Sequence, residues 1–300
     1  MRVSLITTGE MEFRGLANAL QRLFPAHVFD VEPDMPGKPF NGFTSCRVQP
    51  LTSQDPPGHA VRMLRAALGT VVRANANTPP SNLAIVIDDL EIVNKANEAV
   101  LLDHVRESAR RIIGSVGPAI DPAVVAKRLR EQISFHLAAP MMESWFFGDF
   151  SALQTEVPAA HWPPSIAAHR DPEDFLTADP NYEYDVGAGC TASIAKGKRP
   201  YWIRPDRKEH PKAYMKWLLR NPTLTDCTSY KEGKEGVRLM EQFNWSTVLA
   251  TPTWFTYLRA LVRDLESALG PAAFSIPAGG NEAPWTSISQ SRSNAILRNL

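Results

Sequence analysis

Three apolar runs that each lead into acidic residues constrain the fold of this chain more than any other feature. The runs are RVSLITT, LAIVI and ISFHLAAP, and the acids that follow them are Glu10 and Glu12, then Asp88, Asp89 and Glu91, then Glu143. Short apolar runs of this kind predict buried strands. The carboxyl ends of parallel strands meet at one crevice, and carboxylates gathered there repel one another unless a proton, a cationic side chain or a metal ion lies between them. The pattern therefore predicts a divalent-metal site and favours a phosphoryl-transfer enzyme.

The rest of the chain predicts an α/β protein with three parts. In residues 1–150, amphipathic segments of helical length alternate with the apolar runs, which is typical of an open, mostly parallel sheet flanked by helices. Residues 151–207 are rich in proline and then in basic residues, so we expect an insertion or linker there. Residues 208–300 predict a C-terminal helical lobe, with helices over 208–220, 234–244 and 252–269.

Composition argues against several classes of protein. Lys plus Arg and Asp plus Glu are equal at 32 each, so a nucleic-acid site would have to come from a local patch. The three cysteines lie far apart, and no Cys or His cluster has the spacing of a zinc site. The opening residues turn acidic too quickly for a secretory signal, and no apolar run approaches the roughly 18 residues of a membrane helix. We therefore expect a cytoplasmic protein that does not enter a membrane.

Each acidic group also has a structural interpretation. In DDLE, Asp89 and Glu91 can point the same way and hold an ion of the magnesium type, or they can cap the next helix. Glu10 and Glu12 follow a glycine that permits a tight turn near a ligand, but acids in a first helical turn also stabilise the helix dipole. Glu143 precedes an apolar stretch, where a carboxylate needs a partner such as a metal ion or a salt bridge. The three groups together favour a metal site.

Residues 196–216 form a basic stretch that is the candidate nucleic-acid interface. Its cations would attract a phosphate backbone, and the aromatic residues between them could stack on bases or ribose. The alternative is a solvated surface whose aromatic rings pack on the core. The residues that we assign to nucleic-acid binding are Lys198, Arg199, Arg204, Arg207, Lys208, His210, Lys212 and Lys216. Farther along, Lys234 in YKEGKEGVR could reach the acidic crevice and stabilise charge on a transferring phosphate.

Short motifs point to a family. The chain has no Walker A, GxGxxG or GxSxG motif, which argues against a P-loop ATPase, a dinucleotide-dependent enzyme and an α/β-hydrolase. The segments TTGEMEFRGL, IVIDDLE, MMESWFFGD and YKEGKEGVRLMEQFNW resemble the Toprim fold of topoisomerases, primases and overcoming-lysogenization-defect nucleases. They are most similar to a Toprim-like family of bacterial proteins that are often encoded beside an AAA or ABC-type ATPase.

The resemblance implies a set of site residues. Toprim nucleases carry a Glu-Gly pair after the first strand, whereas Thr8 stands before Gly9 here; Glu12 matches the second acid of that motif, and Glu10 could substitute for the first. Asp89-Leu90-Glu91 matches the Asp-x-Asp motif, and Glu143 matches the Glu of a Glu-x-Trp segment. The resemblance thus implies Mg²⁺ or Mn²⁺ held by Glu10, Glu12, Asp88, Asp89, Glu91 and Glu143. Catalysis would fall to Glu12, Asp89, Glu91 and Lys234.

The resemblance also implies a function and partners. It predicts a Toprim-like core that acts as a metal-dependent nuclease on DNA or RNA, as the effector of an anti-phage defence system controlled by an ATPase partner. Whether the chain forms a homo-oligomer stays open. Thr8 in place of glutamate favours an alternative, a catalytically degenerate Toprim subunit that binds an ATPase or nucleic acid without cleavage. A third interpretation is an enzyme that acts on a small phosphorylated substrate.

Overall fold

The apolar runs of the sequence form an all-parallel sheet. In a computed structural model of the protein, residues 1–51, 55–72, 79–167, 170–220, 230–277 and 295–300 are described. The strands are β1 (Arg2–Thr7), β2 (Val28–Val31), β3 (Leu83–Asp89) and β4 (Ile133–Ala138), in the order β2-β1-β3-β4. Every neighbouring pair is parallel. The prediction of an α/β fold with an open parallel sheet flanked by helices is confirmed.

Eleven α-helices lie within these described ranges. They are α1 (Ala17–Leu23), α2 (Gly58–Val72), α3 (Glu98–Gly114), α4 (Pro122–Gln132), α5 (Phe150–Glu156), α6 (Pro180–Tyr184), α7 (Thr191–Ala195), α8 (Pro211–Leu218), α9 (Val237–Gln242), α10 (Trp245–Val248) and α11 (Thr256–Leu269). Two π-helical turns, Glu12–Leu16 and Glu232–Gly236, precede α1 and α9. Short 3-10 turns cover Ile92–Asn94, Met142–Gly148, Ala159–His161, Pro172–Asp174 and Arg207–Glu209.

Local sequence explains several of these elements. Helix α4 begins where Pro122 fits the first turn and the Asp121 carboxylate accepts a hydrogen bond from the amide of Ala123. Helix α8 begins at Pro211 in the same way, with the imidazole of His210 as the capping acceptor. Helix α3 carries an apolar stripe that is buried in the core that it shares with α2 and α4. Proline and capping residues therefore fix where α4 and α8 begin.

The two faces of the sheet support two apolar cores. Successive side chains of a strand point to opposite faces, so Ile85 and Ile87 of β3 enter one core while Ala84 and Val86 enter the other. The second core is closed mainly by α2, α3 and α4. The first core is closed mainly by residues 142–276, including the helices α8, α9, α10 and α11. The predicted C-terminal lobe therefore packs directly on the sheet of the N-terminal part.

The outer edge of β4 is covered by residues 298–299. The side-chain amide of Asn299 donates to the carbonyl oxygen of Phe135 (2.7 Å), and its oxygen accepts from the amide of Phe135 (3.0 Å). Nearby, the buried Asp264 carboxylate bonds the ring of His136 (2.9 Å) and the guanidinium of Arg298 (2.7 Å). The contacts of Asn299 satisfy backbone groups of Phe135 that an open sheet edge would leave unpaired.

Within the described ranges, no helix combines the length and apolar character needed to cross a membrane.

Candidate functional site

The carboxyl ends of β1, β3 and β4 bring four acidic side chains together. Glu12 opens the π-helical turn that follows β1, Asp89 ends β3 and Glu91 lies two residues beyond it, while Glu143 lies in the 3-10 turn after β4. Asp89 and Ala138 are paired in the sheet register, so β3 and β4 end side by side. The negative charges of Glu12, Glu91 and Glu143 each raise the pKa of Asp89. We call Glu12, Asp89, Glu91 and Glu143 the carboxylate cluster.

Glu12 reaches the cluster because Gly9 leaves room for it. A Cβ atom placed on Gly9 would lie 1.8 Å from Oε2 of Glu12, so any side chain at position 9 would displace the carboxylate. Glu12 is only 5% exposed, and its Oε2 atom is buried without a hydrogen-bond partner in the described part of the chain. Burial, and then the negative charge of Glu143, raise the pKa of Glu12 from 4.5 to about 8.

Backbone contacts fix the two acids at the end of β3. Oδ1 of Asp89 accepts a hydrogen bond from the amide of Met142 (3.1 Å), which ties β3 to the turn that carries Glu143. Glu91 has a φ of 60°, an unfavourable value for a residue with a side chain, and its amide donates to the carbonyl of Pro140 (2.7 Å). Strained residues of this kind concentrate at functional sites. Burial raises the pKa of Glu91 to about 7 and that of Asp89 well above its ordinary value.

A lysine and a tyrosine contact the cluster from the C-terminal part of the chain. The ammonium of Lys212 on α8 lies 3.7 Å from Oε1 of Glu143 and pairs with the carboxylate of Glu232. The hydroxyl of Tyr230 donates to Oε1 of Glu143 (3.3 Å). Burial opposes the charge on Lys212, but the negative charges of Glu143 and Glu232 more than offset it, so the pKa of Lys212 is raised.

Asp88 has a different environment from its neighbour Asp89. Its Oδ1 accepts from the hydroxyl of Thr8 (2.9 Å) and from the amide of Asp89 (3.0 Å), and its Oδ2 accepts from the amide of Phe43 (3.2 Å). Burial raises the pKa of Asp88 to about 6, although these hydrogen bonds oppose the shift. Three donors of the protein therefore hydrogen-bond the carboxylate of Asp88, and one of them is the hydroxyl of Thr8.

Two further predicted site residues lie outside the cluster. The Glu10 carboxylate pairs with Arg14 one helical turn away (2.8 Å), and its side chain is 41% exposed. The ammonium of Lys234 is 3.5 Å from the carboxylate of Glu235, and its side chain is 68% exposed. The structure therefore does not bring Glu10 or Lys234 to the other acids, and the lysine that does reach them is Lys212.

Some cations of the basic stretch are bonded to other groups of the protein, and others are exposed to solvent. Arg207 donates to the carbonyls of residues 183 and 185, and Lys208 pairs with Glu183 (2.6 Å). His210 is 2% exposed and caps α8, and burial lowers its pKa to about 3. Lys198 and Arg199 are exposed. The structure thus leaves Lys198 and Arg199 accessible, whereas His210 faces the protein interior.

Two cationic side chains and an aromatic ring form a group beside the carboxylate cluster. The ammonium of Lys216 lies 4.2 Å from the ring centroid of Tyr201, and the guanidinium of Arg204 lies 5.3 Å from it. Tyr201 is 41% exposed. The positive charge of Arg204 lowers the pKa of Glu91, which places this group beside the carboxylates. Arg204 also pairs with Asp206.

The donor set of the carboxylate cluster fits an ion of the magnesium type. Such ions bind carboxylate oxygens, and the unpartnered oxygen of Glu12 is a free ligand of that type. Across the described residues, however, no three His, Cys, Asp or Glu side chains are arranged so that they could hold a metal ion. The carboxylate oxygens are suitable ligands for the ion, but the carboxylates would have to move closer to one another to bind it.

Sequence reasoning missed three features of the site. Tyr230 and Glu232 were not singled out, and Lys212 was assigned to nucleic acid although it contacts the carboxylates. The motif YKEGKEG contained the signal, because its glycines allow close packing. A Cβ atom on Gly236 would lie 2.7 Å from the hydroxyl of Tyr230.

Comparison of the chain with protein-family models, with curated proteins and with solved structures finds no match. The four-stranded, all-parallel open sheet is compatible with a Toprim-like fold. The family itself stays a prediction from the short motifs.

Proposed function

We propose that this protein is a divalent-metal-dependent nuclease that hydrolyses phosphodiester bonds. The observation that supports this most is the carboxylate cluster itself, in which burial raises the pKa of all four acids and the negative charge of a neighbouring acid adds to each shift. Holding like charges together in a buried position costs stability, and strongly perturbed acids are concentrated at functional sites. A role in folding alone would not require the four acids to lie so close.

The four acids of the cluster would hold Mg²⁺ or Mn²⁺, which when bound polarises a phosphate and activates a water molecule. The rest of the chain positions these ligands. The amide of Met142 orients Asp89, and the hydroxyl of Tyr230 orients Glu143. Supporting contacts of this kind determine how well ligands are placed.

The group around Tyr201 supports a nucleic-acid substrate. Lys216 and Arg204 surround an exposed aromatic ring beside the carboxylates, and Lys198 and Arg199 extend the positive charge over the surface. Cations attract a phosphate backbone, and an aromatic ring can stack on a base. A strand bound along this surface would pass the carboxylate cluster.

One alternative has specific support. A degenerate Toprim-like subunit that binds without cleaving is favoured by the Thr8–Asp88 hydrogen bond, and by Lys212, whose ammonium already compensates the carboxylates. In either case, control by an ATPase partner and a role in anti-phage defence are predictions from the resemblance.

Cleavage assays with a matched pair of variants test the proposal. Purified protein is incubated with plasmid, single-stranded DNA or total RNA in Mg²⁺, Mn²⁺ or EDTA, with and without any ATPase that a neighbouring gene encodes. Metal-dependent cleavage should be abolished in Asp89→Asn/Glu91→Gln and retained in Glu10→Gln, whose carboxylate lies outside the cluster. Circular dichroism checks that both variants are folded. Undiminished cleavage by the double variant would refute the site, and the absence of cleavage in every condition would favour the degenerate subunit.

A further inference from the structure

Lys212 is a cation that the acids at the carboxylate cluster stabilise. Its ammonium contacts Glu143 and Glu232, and its positive charge lowers the pKa of Glu12, Asp89 and Glu91 as well as that of Glu143. A divalent ion bound by the same carboxylates would stand close to this ammonium. Two cations so close repel each other, so Lys212 and the ion compete for the same negative charge.

Lys212 is linked to the nucleic-acid surface through its own helix. Lys216 lies one turn farther along α8, on the same face as Lys212. Lys216 has no ion pair with a carboxylate in the described part of the chain, and its ammonium contacts the ring of Tyr201. The hydroxyl of Tyr201 also lies 3.4 Å from Nε2 of His210, the residue that caps α8. A strand that binds at Tyr201 and Lys216 therefore acts on both ends of the short helix that carries Lys212.

We propose that Lys212 is a built-in cation that occupies the carboxylate cluster until a nucleic-acid strand binds, and that the strand draws Lys212 away through α8 and so admits the metal ion. This inference rests on the proposed metal-dependent function. It explains why the four acids lie together although they are not arranged to hold an ion. It also restricts metal loading, and with it cleavage, to protein that has already bound a strand.

The coupling between strand and metal must be reciprocal. If a strand raises the affinity for the metal ion by some factor, the metal ion raises the affinity for the strand by the same factor. Replacing Lys212 by a neutral residue should remove the competition, so that the metal ion binds well without a strand. Replacing Lys216 should weaken the coupling between strand and metal.

Mn²⁺ titration of the full-length protein, followed by the electron paramagnetic resonance signal of free Mn²⁺, tests the proposal. We expect Lys212→Met to bind Mn²⁺ about tenfold more tightly than the wild type. A non-cleavable single-stranded oligonucleotide should tighten Mn²⁺ binding by the wild type and not by Lys212→Met. The titrations are corrected for the Mn²⁺ that the oligonucleotide binds by itself. Lys216→Met should lose this effect, and Lys127→Met, at an exposed position on α4, should behave like the wild type.

The outcomes separate the inference from the proposed function. Equal or weaker Mn²⁺ binding by a folded Lys212→Met, with measurable binding by the wild type, would overturn the role of Lys212 and leave the metal site intact. No Mn²⁺ binding by any form, with or without the oligonucleotide, would overturn both. If Lys212→Met does not fold, acetylation of wild-type lysines replaces it: saturating Mn²⁺ should accelerate modification of Lys212 relative to Lys127, and an unchanged rate would overturn the inference.

Discussion

Replacing Glu12 by glutamine should stabilise the metal-free protein. Burial, and then the charge of Glu143, raise the pKa of Glu12 from 4.5 to about 8 in the folded state. Because the folded-state pKa is the higher one, the contribution of this carboxyl to stability is complete below pH 4.5 and is lost as the pH rises to about 8. At pH 7 the pH lies about 2.5 units above the unfolded-state pKa of Glu12. At about 1.36 kcal/mol per unit, this corresponds to a loss of about 3 kcal/mol in the free energy of unfolding. Glutamine never ionises and avoids that loss.

Urea unfolding in EDTA, followed by circular dichroism at about pH 5.5, 7 and 8.5, measures this effect. The free energy of unfolding of Glu12→Gln should exceed that of the wild type by about 3 kcal/mol at pH 7, by less at pH 5.5 and by more at pH 8.5. Glu10→Gln is the control, because its partly exposed ion pair should change stability by no more than about 0.5 kcal/mol. A difference between Glu12→Gln and wild type that does not grow with pH would refute the assignment of Glu12 as a buried, repelled carboxyl.

Two further substitutions test the packing around the site and the edge of the sheet. Gly9→Ala should displace the carboxylate of Glu12 and weaken Mn²⁺ binding about tenfold or more, as measured by titration. Gly69→Ala, where an added Cβ meets nothing within 4 Å, should leave binding unchanged and stabilise α2 by about 0.5–1 kcal/mol; equal binding by both variants would contradict the steric argument. Asp264→Ala removes a buried carboxylate that bonds His136 and Arg298 and should cost about 3–5 kcal/mol in urea unfolding, and a cost below about 1 kcal/mol would show that these contacts stabilise little.

The sheet and its acidic edge could be predicted because both depend on local sequence. In LAIVIDD every side chain up to Asp88 is buried, so the run of apolar residues is continuous and marks a central strand. Parallel topology then places the ends of β1, β3 and β4 at one edge, which brings the turns that carry Glu12 and Glu143 close to Asp89. No long-range detail is needed for that inference.

The cationic part of the site could not be predicted in the same way. The basic stretch offers many lysines and arginines, and only the packing of α8 on the rest of the protein decides that Lys212 faces the acids. The π-helical turn Glu232–Gly236 likewise directs Glu232 toward Lys212 and leaves Lys234 exposed. Local sequence shows that a charged side chain is present, whereas tertiary packing determines which way that side chain points.

The apolar core shared by the sheet and the C-terminal helices has a consequence for how the protein is made. Leu5 and Ile85 lie on a sheet face that is closed by residues as distant as Leu239 and Phe243. On the ribosome, the sheet is complete once β4 has emerged, but about one hundred residues must still be synthesised before that face can be covered. At roughly 5–20 residues per second, the apolar face stays open for roughly 5–20 s. During that interval the nascent chain presents an apolar surface suited to chaperone binding. Premature termination between β4 and the C-terminal helices would release a sheet with one apolar face uncovered, which would be prone to aggregate.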